Sequence, residues 1–147
     1  MEINILPTES QALLGATHEL VITHADLTAA ATTQTLIVSI PNGSWVKGGF
    51  HILDTEFVSP SSTSLAYEVG DDTDPNLFMT STEVDAANVG KVTYKEPTPG
   101  AGSVGQGKAY TGQDTIDILF TGSHNLNLFT AGALRYYFNL VELDRLS

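Results

Sequence analysis

Apolar side chains recur at every second position through most of this chain. Between Thr33 and Ile40, Leu36, Val38 and Ile40 face one way while Thr35, Ile37 and Ser39 face the other. Leu65, Tyr67 and Val69 alternate in the same manner, as do Ile116, Ile118 and Phe120 against Thr115 and Asp117. From Ala133 to Leu143 the pattern sends Leu134, Tyr136, Phe138 and Leu140 inward and Arg135, Tyr137 and Asn139 outward. A period of two is that of a β-strand with one buried face. Glu19-Leu20-Val21-Ile22-Thr23 and Lys91 to Lys95 read as further strands. Trp45 to Val58 reads as a long strand whose apolar phase changes at Gly48-Gly49, from Trp45 to Phe50 and Ile52 and then to Leu53 and Phe57. A β-bulge at the glycines accounts for the slip.

The breaks between these runs carry turn chemistry. Pro41-Asn42-Gly43-Ser44, set between two apolar runs, predicts a hairpin, and Ser59-Pro60-Ser61-Ser62 predicts the turn into the strand Thr63 to Val69. Ala25 to Ala31 reads as a loop with one helical turn. Ser81 or Thr82 is placed to cap a short helix running to Ala87. Between Tyr67 and Met79 a strand runs into a corner of Gly70, Asp71, Asp72, Asp74, Pro75 and Asn76. There Gly70 relieves backbone strain, the Asp side chains bond to nearby N–H groups and Pro75 fixes one φ. Residues 1–16 begin extended and continue past Pro7 either as a helical turn closed by Gly15 or as an arm leaving the domain. Residues 97–107 are too rich in Gly and Pro for regular structure. The expectation is an all-β antiparallel sandwich of jelly-roll or Greek-key type, with an extended N-terminal arm at 1–16. A single domain spans 17–147 and carries a Gly/Pro-rich loop at 97–112.

Composition narrows the function classes. At 147 residues the chain is one domain by length and buries enough surface to need no covalent staples. It has no cysteine, which excludes disulfides and thiolate metal sites. Six Lys and Arg against 17 Asp and Glu give a formal charge of −11. A field of that sign repels phosphate, so neither nucleic acid nor an anionic membrane is an expected partner. Only 16% of residues are charged, so Thr, Ser, Asn and Gly must cover much of the surface. Met1 to Pro7 lacks the basic start and apolar run of a signal peptide, and no apolar run is long enough for a spanning helix. A soluble protein without a standard export signal is expected.

Several groups bear on chemistry. Asp72, Asp74, Asn76 and Glu83 fall at calcium-loop spacing, but Leu77 stands where the loop needs Gly and a strand precedes it, which favours a plain turn. His18, His24, His51 and His124 lack a spacing that gathers them at a metal. Asp54 and Glu56, two apart on one strand, suit a solvated face better than a pair of hydrolase carboxylates. No serine-nucleophile elbow or phosphate-cradling loop is present. Trp45, Tyr67, Tyr94, Tyr110, Tyr136 and Tyr137 are candidates for a sugar platform, with Tyr137 the one placed on a polar face. No cofactor is implied, and no enzyme activity is expected.

Three segments resemble small virion proteins of tailed bacteriophages. They are Val69-Gly70-Asp71-Asp72-Thr73-Asp74-Pro75-Asn76-Leu77-Phe78-Met79 with Thr82-Glu83-Val84-Asp85, the aromatic strand entered through Phe129-Thr130-Ala131-Gly132-Ala133-Leu134-Arg135-Tyr136-Tyr137-Phe138, and the long strand Gly49 to Val58. The resemblance spans roughly residues 45–143 and is closest to capsid decoration, or cement, proteins. It implies a β-sandwich made in the bacterial host cytoplasm and mounted on the virion capsid surface. There it would bridge subunits of the major capsid protein, often as a homotrimer. Ile3, Ile5, Leu6 and Pro7 of the arm, Val104 of the Gly/Pro-rich loop, and Tyr137 are then the candidate interaction residues. The alternative is a receptor- or carbohydrate-binding tail component.

Overall fold

The computed structural model describes residues 1–84, 89–93 and 107–143. Ten strands and one short α-helix are present there. They are β1 (Glu2–Ile5), α1 (Thr8–Leu14), β2 (His18–Thr23), β3 (Thr33–Ile40), β4 (Ser44–Val58), β5 (Leu65–Gly70), β6 (Met79–Glu83), β7 (Val92–Thr93), β8 (Lys108–Ala109), β9 (Asp114–Gly122) and β10 (Ala131–Glu142). One sheet has the order β1-β2-β10-β4-β7, with β8 also pairing β4, and the other has the order β3-β9-β5-β6. The strand-to-strand pairings are antiparallel. An all-β sandwich is what the period-two pattern predicts.

The pairings nest. The hairpin β5·β6 lies inside β4 with its partners β7 and β8, these lie inside β3·β9, and β2·β10 is outermost. Each step outward changes sheet, so the chain winds as a folded ribbon. For this reason the turn Pro41-Asn42-Gly43 does not make the expected hairpin. β3 belongs to one sheet and β4 to the other, and the turn carries the chain across the layer. The turn after Val58 does the same into β5.

The inner faces meet in one core containing Leu20, Ile22, Val46, Leu53, Tyr67, Ile116, Ile118, Phe120, Leu134, Tyr136 and Phe138. Burying each such side chain is worth about 1.5–3 kcal/mol before entropy. The residues that alternate inward by sequence are largely those found there. Leu36 and Leu140 lie partly buried at the core's margin.

The bulge falls at Gly48-Gly49. Phe50 pairs with Tyr137 and Lys47 with Asn139, so three steps on β4 match two on β10. Val46 and His51, five residues apart, therefore both point inward, and Phe50 turns outward to stack on Tyr137 at 4.9 Å between ring centroids. A side chain at Gly49 has no room, because a Cβ there would stand 2.3 Å from the Tyr137 carbonyl oxygen.

The N-terminal segment is not a free arm. β1 pairs with β2 over its whole length, and α1 ends at Gly15 as the sequence suggests. Leu6 and Ala16 form a second apolar cluster with Tyr137, and Leu14, Phe50 and Ile52 pack against it. The reason is physical: the bulge leaves aromatic surface on the outer face of the sheet, and this segment covers it. Ser81 and Thr82 are strand residues of β6 and cap no helix, while residues 85–88 of the expected helix lie outside the described residues. Val104, Tyr94 and most of the Gly/Pro-rich loop also lie outside them.

Replacing Gly49 with Ala should force β4 away from β10 and cost about 2–3 kcal/mol. Urea denaturation of Gly49→Ala beside Lys47→Ala, expected within about 0.5 kcal/mol of the parent, checks this.

Candidate functional site

Polar groups inside or against the core gather in three places. The first is the corner after β5. Asp71 is buried, and both its oxygens are saturated. Oδ1 accepts from the Thr73 and Asp74 amides, each at 3.0 Å, and from the Thr73 hydroxyl at 2.7 Å. Oδ2 accepts from the Tyr110 hydroxyl at 2.9 Å and from the Lys108 ammonium. Burial alone would raise the Asp71 pKa, but the donors from Lys108, Thr73 and Tyr110 outweigh it and hold the carboxyl at about 2. Lys108 also sits 4.9 Å from the Tyr110 ring centre. Gly70 is required at this corner, since a Cβ there would come within 1.9 Å of the Asp74 carbonyl. The carboxylate thus ties the corner to β8.

The second place is the His51–Tyr67 pair. His51 Nδ1 lies 2.6 Å from the Tyr67 hydroxyl, while Nε2 is buried without a hydrogen-bond partner among the described residues. Burial lowers the His51 pKa to about 4 and raises that of Tyr67 well above its ordinary value. The third place is on the outer face. Arg135 grips Asp54 through Nε to Oδ2 at 2.8 Å and Nη2 to Oδ1 at 2.6 Å, and its Nη1 donates to the Tyr137 hydroxyl at 2.7 Å. Hydrogen bonding to Asp54 raises the Arg135 pKa further.

The residues singled out from sequence are mostly not brought together. Asp72 is exposed, Asp74 receives the Asn76 amide at 3.3 Å, and Glu83 stands apart at the end of β6. Among the described residues no three His, Cys, Asp or Glu converge to hold a metal, so the calcium spacing and the four histidines find no common centre. Asp54 is paired with Arg135, and Glu56, two residues on, is exposed. Tyr137 is not an exposed platform: it is 2% exposed beneath Leu6 and Ala16. Of the other arm residues, Ile3, Ile5 and Pro7 are exposed and Leu6 is buried.

One cleft of about 260 Å³ opens at an end of the sandwich, lined among others by Glu56, Phe57, Ser62, Leu65, Glu83 and Phe129. Glu56 precedes buried Phe57, and Glu83 lies between buried Thr82 and Val84. Strand alternation therefore turns both carboxylates away from the interior. Asp71 makes the bonds to nearby amides expected of the corner's Asp residues, but its ties to Lys108 and Tyr110 have no signal along the chain. From sequence His51 is a candidate only as a metal ligand; its inward placement beside Tyr67 follows from the bulge. Compared with known protein families, curated proteins and solved structures, the chain matches none. No helix among the described residues is long and apolar enough to cross a membrane.

Asp71→Asn should cost about 3 kcal/mol in urea denaturation, since it strips Lys108 of its counter-charge in a buried network. The His51 shift predicts a pH dependence. The unfolded chain takes up this proton near pH 6.5, but the native protein does so only near 4. Stability is therefore full above 6.5 and should fall by about 3 kcal/mol as the pH drops toward 4. Asp71, with its depressed pKa, contributes a loss only below about 3.8. Denaturation at both ends of the upper window, with His51→Gln showing a smaller loss, checks the assignment.

Proposed function

We propose that this chain is a structural component of a bacteriophage particle, seated on the capsid exterior and bridging its shell subunits. The observation that carries the reading is the nested strand order, β2-β10-β4-β7 over β3-β9-β5-β6, which we read as a jelly roll. That architecture recurs in viral capsid proteins. A fold alone assigns no function, so two further features support the choice. The charge of −11 suits an outward-facing surface and disfavours contact with packaged nucleic acid. Ionisable groups also act as tethers: buried Asp71 holds a corner to β8, and Arg135, half-exposed on the outer face, holds β4 and Tyr137.

Lectins share the architecture, and a carbohydrate- or receptor-binding tail component is the second reading. It loses Tyr137 as its platform and rests on the cleft beside Phe57 and Phe129. Quantitative mass spectrometry of purified particles, counting this chain against the major shell protein, separates the readings. Copies comparable in number to the shell protein are the expected result. A small fraction of that number would shift the chain to the tail, and its absence from the particle would overturn the proposal.

A further inference from the structure

The six-stranded sheet ends at β1, and among the described residues nothing pairs with its outer side. The Leu6 amide points toward β2, donating to the Thr17 carbonyl at 2.9 Å. Amide and carbonyl directions alternate along an extended chain, so Asn4 and Glu2 also turn toward β2, whereas Ile3 and Ile5 present their N–H and C=O groups to the free side. Their side chains are left open as well. Ile3 stands opposite Leu20 and Ile5 opposite His18, on the core-facing side of the sheet, yet they are 44% and 75% exposed. Natural edges are usually blunted by shortness, lysine, proline, a bulge or a cover, and β1 has only the first of these, at four residues. Within β1 only Glu2 is charged.

We propose that this edge is a self-association surface on which a second copy of the chain adds its own β1, antiparallel about a two-fold axis through Asn4. In that register Ile3 faces the second copy's Ile5, Asn4 faces Asn4, and Glu2 faces Leu6. All outward N–H and C=O groups of Ile3 and Ile5 are then matched in both copies. The isoleucines become cross-strand neighbours at about 5 Å on one face. The two Glu2 side chains stay roughly 13 Å apart along the strands, beyond a Debye length at physiological salt. A register centred on Ile3 instead needs Met1 opposite Ile5, and the Met1 ammonium is held by Asp26. The match of edge polarity, apolar face and charge spacing selects a second copy over an unrelated strand. It gives a two-fold pair, unlike the trimer that the phage resemblance implies, and it holds whether or not the virion reading does.

Sedimentation velocity of the purified chain over a roughly hundredfold concentration range should show a monomer–dimer equilibrium. Because each copy carries −11, the dimer should strengthen as salt is raised. Ile5→Pro removes one outward N–H and no bond to β2, so it should keep the fold by circular dichroism while weakening the dimer at least about tenfold. Ile3→Lys guards the same edge by charge and should do likewise. In this cysteine-free chain, Asn4→Cys should oxidise to a covalent dimer, because facing strand residues lie within disulfide reach, whereas Glu2→Cys should not. A monomer at every concentration, a trimer, a dimer unchanged by both Ile5→Pro and Ile3→Lys, or equal cross-linking of the two cysteine variants would overturn the proposal.

Discussion

The close approach of Gly49 to the Tyr137 carbonyl governs much of this molecule. It permits the extra residue on β4, and the extra residue reverses which side chains of that strand face the core. Upstream Val46 is inside. Downstream His51 takes the inward place, while Phe50 and Tyr137 are left stacked on the outer face. Exposed aromatics on a sheet need a cover, and Leu6, Ala16 and Leu14 supply it. Covering them fixes α1, and fixing α1 lays β1 along β2. The position of the N-terminal segment is thus a consequence of a bulge more than thirty residues away.

The polar interior follows the same economy. Asp71 has more donors than a single turn offers, and two of them, Lys108 and Tyr110, come from the C-terminal part of the Gly/Pro-rich loop. Its charge is stabilised by that excess, so the corner and β8 stand or fall together. His51 is the opposite case: it enters the core with one nitrogen satisfied by Tyr67 and the other without a partner among the described residues. One group gains from its charge and the other must remain neutral. Geometry rather than residue type decides which.

Much of the fold was legible in the sequence because alternation is a local signal. The inward sets on β5, β9 and β10 could be read directly, as could the slip at Gly48-Gly49. The partners of each strand could not. Pro41-Asn42-Gly43 is an ordinary hairpin turn by composition, and only the competition among ten strands for neighbours sends β3 and β4 to different sheets. The surroundings of the candidate residues were illegible for a related reason. Tyr137 lies at an outward position by parity, but parity says nothing of what lies above the sheet. Asp72, Asp74 and Glu83 have a metal-loop spacing along the chain without converging in space.

Nesting also has a consequence for how the molecule comes into being. The tenth strand is an interior strand of the six-stranded sheet, holding β2 on one side and β4 on the other. A chain emerging from the ribosome therefore exposes two unpaired strand edges, and the aromatic surface of Phe50, until β10 arrives. Contacts joining such distant parts of a chain close slowly, since loop entropy must be overcome first. In this molecule the scarcity of positive charge has a use before the native state exists. Nascent chains that repel one another have time to wait for β10.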